Sequence, residues 1–412
     1  MSRVLFITSD YPEDGKGNLY YDLVSEFVYN DNIVDVIVPQ ERKYKKKNTM
    51  LKSNNLTVFR VRYLNFRGKV SVIEKGIATI IQGHFYKWIV KKYFNNKYDI
   101  VICATLPISY RPVFQYVKKK HKTYTYLLHK DIFPQSAIDL GILKHKSILY
   151  KFFRRMESRL YDKSDKIGVM SKKNIDYLVL NNPRLPINKF EICVNSIIPK
   201  AVHEIATLIE SRKTTRKKYH LPIEDTIFIY GGNISRAQGI QFIYSVLPEF
   251  SKMIGAHLLF VGSGNEFDNL KNNIIENKYE NVTIISKVEK SEFDMIVSAC
   301  DVGLVFLDYK FTIANIPSRS LTHMEFRQPI IAATDEYTDF RDFIIYNNIG
   351  LWSPSNDVSA FLENVKKYIE NKSLIKEQGE NARAYLEKNM NTKISYLTIM
   401  KNLNKAGNIH EE

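Results

Sequence analysis

At 412 residues, with 44% apolar and 25% charged side chains, the chain has the composition of a soluble globular protein and the length of two domains rather than one. Its three cysteines, Cys103, Cys193 and Cys300, show no metal-ligand spacing and fit a reducing compartment, and no run of about 18 uncharged apolar residues is there to cross a membrane. The net charge of +16 is one-sided: residues 1–200 carry 36 Lys and Arg against 17 Asp and Glu, residues 201–412 carry 24 against 27, so the first half suits nucleic acid or an anionic membrane leaflet unless its lysines serve solubility alone.

In chain order, MSRVLFITSDYPEDG has too short an apolar run for a signal peptide and opens on a strand. Short β-branched and aromatic runs predict strands at Val4–Thr8, Val34–Val38, Leu56–Val61, Ile100–Cys103, Tyr124–Leu128, Lys166–Met170 and Phe190–Val194. Helical patterns fall between most of them, at Leu19–Tyr29, Val70–Phe94, Arg111–Lys120, Ser147–Tyr161 and Lys173–Leu180. Alternation of this kind predicts a parallel sheet covered on both faces. Residues 199–222, polar and basic (ESRKTTRKKYHLP), read as an interdomain segment. The rhythm then restarts with strands at Ile227–Tyr230, Ala256–Val261, Val282–Ile285, Val302–Leu307 and Pro329–Ala333, separated by helices, the last of them beginning at Asp335. The final fifty residues read as helical. The expectation is an α/β protein of two doubly wound, Rossmann-like domains facing a cleft: 1–200, 201–385, and a C-terminal helix, 386–412, packing back on the first domain. Ligands of such sheets bind at the carboxyl ends of the strands.

Two loops of the second half carry chemistry. After Leu307, the segment FTIANIPSRS places Pro317 and Ser318 at a helix start with Arg319 in its first turn, a place to hold an anion. Earlier, Tyr230-Gly231-Gly232-Asn233-Ile234-Ser235-Arg236-Ala237-Gln238-Gly239 joins a strand to a helix. It has neither a dinucleotide fingerprint nor a Walker loop, but its glycines admit close backbone approach and Arg236 adds a cation. Each loop alone is also an ordinary β-α connection. Paired, they suggest a pyrophosphate clamp.

In the same order as these loops come Gly15-Lys16-Gly17 before the first helix, Asp131-Ile132-Phe133-Pro134, Glu157 eight residues before Asp165, Ser171, Asn195, the Gly-Gly-Asn…Gln-Gly loop, Pro317-Ser318-Arg319, Met324 and Pro329. On these landmarks the chain resembles a family-4 glycosyltransferase of the GT-B fold over nearly its whole length, and within it the bacterial subgroup that builds capsule, O-antigen and exopolysaccharide. The resemblance implies a second domain that binds a nucleotide-sugar, commonly UDP-linked, a first domain that binds the acceptor, retention of anomeric configuration, and no metal or other cofactor. It also implies site residues. Gly232, Asn233, Ser235, Arg236 and Gln238 face the diphosphate, Val288 contacts the base, Ser318 and Arg319 start the helix that lines the pyrophosphate, and Asn315 is a further donor-binding residue. Asp131 and His129 face the reacting sugar, with Gly15, Lys16 and Gly17 on the acceptor side. Where many members carry two glutamates eight apart, this chain has Ala314 and Thr322; Glu325, one turn on, is a substitute for the ribose contact.

The chemistry asks for stabilisation of charge growing on the β-phosphate, a task for N–H donors and guanidinium groups such as Arg319. Asp131 and His129 follow a strand and suit orientation or deprotonation of an acceptor; His129 reads equally as a structural histidine, and Asp131 as a turn cap. The helix at Val70–Phe94 has an apolar stripe flanked by lysines, which reads either as an interfacial helix on anionic lipid or as a helix packed on the sheet with a basic outer face. Arg42–Lys47 reads as a mobile charged loop that adds membrane attraction. The function expected is a hexosyl- or N-acetylhexosaminyltransferase acting on a lipid-linked or growing glycan, cytoplasmic and peripheral on the inner face of the plasma membrane, without nucleic acid as partner. The alternatives are a GT-B-like epimerase of UDP-N-acetyl sugars and a catalytically silent transferase partner.

Overall fold

The structure, a computed structural model, describes residues 1–13, 17–68 and 70–408. It divides into two compact units, one of residues 1–198 with 392–412 and one of residues 199–391.

The first unit is built on an eight-stranded sheet. Its elements are β1 (Arg3–Ile7), α1 (Leu19–Tyr29), β2 (Ile33–Glu41), β3 (Thr49–Ser53), β4 (Leu56–Tyr63), α2 (Val72–Tyr93), β5 (Ile100–Ala104), α3 (Arg111–His121), β6 (Tyr124–Leu128), α4 (Gln135–Asp139), α5 (Ile148–Lys163), β7 (Lys166–Val169), α6 (Lys172–Asn181) and β8 (Phe190–Ile192). The strand order is β3-β4-β2-β1-β5-β6-β7-β8. All neighbours are parallel except β3, which pairs antiparallel with β4 at the edge. The fully buried strands VLFI and IVICA explain why β1 and β5 lie at the centre.

The second unit comprises α7 (Val202–Glu210), α8 (Arg212–Lys218), β9 (Thr226–Asn233), α9 (Ile240–Phe250), β10 (Ala256–Ser263), α10 (Phe267–Glu276), β11 (Val282–Ser286), α11 (Lys290–Ser298), β12 (Val302–Phe306), α12 (Arg319–Glu325), β13 (Ile330–Thr334), α13 (Phe340–Tyr346), β14 (Gly350–Pro354), α14 (Val358–Glu370) and α15 (Lys372–Asn389). Its six strands are parallel in the order β11-β10-β9-β12-β13-β14. The order reverses between β9 and β12, so the loops after these two strands meet at a topological switch point. The final helix, α16 (Thr392–Asn408), belongs to the first unit, where Ile399 is fully buried in a core shared with Val24 and Phe27 of α1.

The two doubly wound α/β sheets and the helical C-terminus are those the sequence predicts. Several details differ. Residues 199–222 are not a bare linker: they form α7 and α8, which pack on α11 through Ile205 and Leu221, with Arg216 buried and bonded to the Ala299 carbonyl at 2.9 Å and to Asp301 at 2.7 Å. The unit boundary falls after Asn391 rather than 385, because α15 runs unbroken to Asn389. The helix placed from Asp335 begins at Phe340; Asp335 instead accepts the Tyr337 and Thr338 amides. Arg42–Lys47 is not a free charged loop: Arg42 pairs with Glu74 at 2.9 Å, Lys43 with Glu41 at 3.1 Å, and Lys46 with Glu13. Of the stripe on α2, Ile89 is buried with Tyr86 and Val90, but Ile73 and Ile77 are exposed.

Candidate functional site

The switch point of the second unit gathers the two loops that the sequence singled out. β9 runs past its last apolar residue, Tyr230, into Gly231, Gly232 and Asn233. A 3-10 turn, Arg236–Gln238, then leads through Gly239 into α9. The tip of β9 presses against β10: a Cβ on Gly262 would stand 1.9 Å from the Gly232 carbonyl oxygen. Gly232 itself has φ +123°, a conformation that L side chains rarely adopt, and a Cβ there would point at the Arg319 guanidinium. From β12 the chain turns at Asp308, whose amide donates to the Ala237 carbonyl at 3.1 Å, closing one loop on the other.

Arg319 is the tie across the switch point. Its Nη1 donates to the Gly231 carbonyl at 3.3 Å, its Nη2 donates to the Gln238 side-chain oxygen, and its guanidinium lies 4.4 Å from the centre of the Tyr230 ring. The Tyr230 hydroxyl in turn donates to the Asn233 carbonyl at 2.6 Å, fixing the loop from below. A guanidinium carries five N–H donors, so donors of the fork remain for an anion. Gln238 acts here as an acceptor that aims the arginine. Tyr230 was not expected to matter, although an aromatic residue closing a buried strand before Gly-Gly was the available signal.

The remaining expected donor residues are placed variously. Asn233 and Ser235 are bonded to each other at 3.0 Å, Nδ2 to Oγ. Arg236 is 78% exposed and reaches toward Glu266 at 3.8 Å rather than toward Arg319. Ser318 is exposed and caps nothing with its side chain. Asn315 is held through its backbone by Thr338 Oγ1, at 3.1 and 2.7 Å. Val288 is half-buried, packed on the core under α11, and Thr322 is half-buried on α12. Ala314 is buried.

Glu325 is corrected. Its carboxylate is buried and accepts the Lys200 amide at 2.8 Å, with Lys200 Nζ at 3.4 Å; Lys200 also pairs with Asp294 at 3.1 Å. Arg383 from α15 donates to the Glu325 and Lys200 carbonyls at 3.0 and 2.7 Å. The carboxylate thus anchors the entry of the chain into this unit, and a ribose is not its partner.

In the first unit the strand order reverses at β1 and β5, and Ser9 after β1 donates to the Leu106 carbonyl after β5 at 2.8 Å. His129 and Asp131 follow the neighbouring β6. They diverge. His129 is 2% exposed, with Nε2 2.6 Å from the Tyr161 hydroxyl. That hydroxyl donates to Glu157, which is fully buried and paired with Arg154. Since the tyrosine proton is committed to Glu157, the Nε2–H of a neutral His129 is the donor to Tyr161. Burial, aided by Lys130, pushes the imidazole down to about 3. His129 is thus engaged in the way a structural histidine would be: it is buried, with Nε2 on Tyr161 and Nδ1 3.5 Å from the Thr105 hydroxyl. Asp131 is exposed, yet the surrounding protein raises its carboxyl above the ordinary value, against an opposing hydrogen bond from Ser136. Of the acceptor-side loop, Gly15 and Lys16 lie outside the described residues, and Gly17 is exposed with φ +33°. Among the described residues, no group of three or more His, Cys, Asp or Glu is placed to hold a metal ion, and no helix is long and apolar enough to cross a membrane.

Comparison with known proteins follows the same lines. Residues 211–385 match the family model for glycosyl transferases group 1. The chain is 26% identical over 297 residues to the probable glycosyltransferase WbjE of Pseudomonas aeruginosa, covering 71% of each protein. Among solved structures, it is similar to sucrose-phosphate synthase from Thermosynechococcus elongatus (TM-score 0.75, 13% identity, 99% of this chain and 100% of that one). It is also similar to HepE of Anabaena in complex with UDP-glucose (TM-score 0.67, 12% identity, 98% and 100%). The residues matched by that family model lie within the second unit and include Arg319 at its switch point, and the two-unit α/β fold is of GT-B type.

Proposed function

We propose that the protein is a retaining glycosyltransferase that moves a hexosyl or N-acetylhexosaminyl group from a UDP-sugar to a lipid-linked or growing glycan, in the synthesis of a bacterial surface polysaccharide at the inner face of the plasma membrane. The observation that carries this reading is the Arg319 tie, which keeps guanidinium donors beside the bare backbone of Gly231 and Gly232. The UDP-glucose named for HepE supports the choice of nucleotide. The basic first half supports an anionic surface as partner.

In the reaction, the bond from the sugar C1 to the β-phosphate oxygen breaks as the bond from C1 to the acceptor oxygen forms on the same face. Charge grows on the β-phosphate, and Arg319 with the backbone donors of the β9 loop meets it. The acceptor proton passes to the Asp131 carboxylate, while the His129–Tyr161–Glu157–Arg154 chain fixes the segment that carries Asp131. No metal is required, since guanidinium and N–H groups serve the diphosphate.

A second reading is a catalytically silent partner. It is favoured by one observation: with Ala314 and Thr322 in place of carboxylates and Glu325 engaged by Lys200, α12 offers no free carboxylate to a sugar. One experiment separates the two. The purified chain is titrated with UDP-glucose, UDP-galactose, their N-acetylamino counterparts and GDP-mannose, following thermal shift and release of nucleoside diphosphate. Selective stabilisation and slow release with one UDP-sugar support the transferase. Stabilisation without release favours the silent partner, and no response to any nucleotide overturns both.

A further inference from the structure

The segment between α4 and the middle of α5 combines features that a water-exposed surface does not need. The core-facing side of α5 is Phe153, Glu157, Leu160 and Tyr161. A helix packed by that side turns Ile148, Lys151, Phe152 and Arg155 to the opposite side. Yet Ile148 is 90% exposed, Phe152 43%, and Ile142 in the preceding loop 74%. Leu149 extends the core side past its edge and is exposed as well. Among them stand Lys144, Lys146, Lys151 and Arg155, all exposed and without an ion pair among the described residues. Residues 140–156 contain no Asp or Glu at all.

We propose that this surface, Ile142 to Arg155, is where the protein seats on an anionic lipid bilayer, with Ile142, Ile148 and Phe152 entering the headgroup boundary and the four cations meeting lipid phosphates. Its charge selects the occupant. A patch of apolar side chains ringed only by cations complements an anionic interface, and both parts strengthen the same attachment. The proposal rests on the lipid-linked-acceptor reading for its purpose, but not for its evidence. It moves the lipid contact away from α2 and Arg42–Lys47. That run is largely neutralised by Glu13, Glu41 and Glu74, and Glu74 lies in the first turn of α2.

The test is flotation of the full chain with vesicles of phosphatidylcholine containing 30% phosphatidylglycerol, against phosphatidylcholine alone. Wild type should float with the anionic vesicles only, and less as salt rises. Lys146→Gln with Lys151→Gln should weaken partition roughly 25-fold, at about fivefold per cation. Ile148→Ser with Phe152→Ser should weaken it at least ~10-fold. Ile73→Ser with Ile77→Ser on α2 should leave it unchanged. Thermal shift with UDP-sugar, which concerns the other unit, should be the same in every variant and shows that each is folded; its absence in wild type would count against the donor reading and leave flotation to decide this one. Equal flotation on neutral vesicles, wild-type behaviour of the α5 variants, or loss only in the α2 variant overturns the proposal. A cysteine at Ile142 carrying an environment-sensitive dye gives a second readout, because the three native cysteines are buried; no blue shift on anionic vesicles would equally count against it.

Discussion

Replacing Arg319 by alanine tests the donor site most directly. The side chain makes three contacts: a hydrogen bond to Gly231 at 3.3 Å, one to Gln238, and a stack on Tyr230 at 4.4 Å. A half-exposed cation–π contact contributes about 0.5–1 kcal/mol. The hydrogen bonds add little net, because Gln238 and the Gly231 carbonyl can turn to water once the arginine is gone. The expected loss of stability is therefore only about 1 kcal/mol, a shift of roughly 2–4 °C in the melting of a unit of this size. The catalytic loss should be far larger. A donor aimed at charge that develops in the transition state is worth about 3 kcal/mol, or ~100-fold in kcat. Arg319→Lys keeps the charge but loses the fork and the stack, and should fall between the two. The assay is UDP release from the preferred UDP-sugar, with UDP affinity measured by calorimetry on the same samples. Gln238→Ala should lower the rate less than Arg319→Ala, and the double variant should be less impaired than the two effects combined, since one aims the other. If Arg319→Ala releases UDP within twofold of wild type, the guanidinium is not the group that meets the diphosphate.

Four further expectations concern stability. Gly262→Ala should destabilise the second unit by about 1–3 kcal/mol in urea unfolding, because its Cβ would lie 1.9 Å from the Gly232 carbonyl oxygen; an unchanged midpoint would show that the β9 tip yields freely. Glu325→Gln should cost about 3 kcal/mol, near the lower end for breaking a buried pair because Asp294 still faces Lys200, and a loss below 1 kcal/mol would dismiss the anchor. Burial pushes His129, His257 and His323 down to about 3, 4 and 4. The unfolded chain binds protons at these residues below pH ~6.5 and the folded chain does not, so the stability present above that pH drains away as pH falls. At pH 5 each histidine should remove about 2 kcal/mol, read as a lower urea midpoint than at pH 7.5; equal midpoints would contradict their burial in the neutral form. Tyr11→Phe should be neutral or stabilising, since its buried hydroxyl has no partner among the described residues, whereas Tyr98→Phe, which loses a 2.7 Å bond to Asp35, should lower the melting temperature of the first unit.

Much of this was legible in the sequence because the central strands are buried on both faces. VLFI, IVICA and the run at Val302–Phe306 are short continuous apolar segments of the kind that a sheet covered on both faces buries. What escaped was structure without that pattern. β3 is exposed along its whole length, so Thr49–Ser53 carries no burial pattern, and it pairs with the sheet through its ladder to β4. Residues 199–222 looked like a linker because their polar face dominates, while the few anchors, Ile205, Leu221 and the buried Arg216, mean something only once α11 is in place. In the site, backbone features were predictable from Gly231-Gly232 and Pro317-Ser318. Side-chain partnerships were not: that Glu325 is claimed by Lys200, 125 residues away, and His129 by Tyr161, 32 away, depends on tertiary packing that no local spacing encodes.

The placement of α16 makes the second unit an insertion within the first. The chain leaves the first unit after Ile198 and re-enters at Thr392, whose amide donates to the Ile197 carbonyl at 3.0 Å, so exit and return share one doorway. During synthesis the first 198 residues emerge long before α16, which supplies Ile399 to their core. The second unit can finish folding while the first still waits, with an apolar surface on α1 uncovered, for the last stretch of chain to arrive. A premature stop after residue 391 would thus spare the second unit whole and cripple the unit that precedes it.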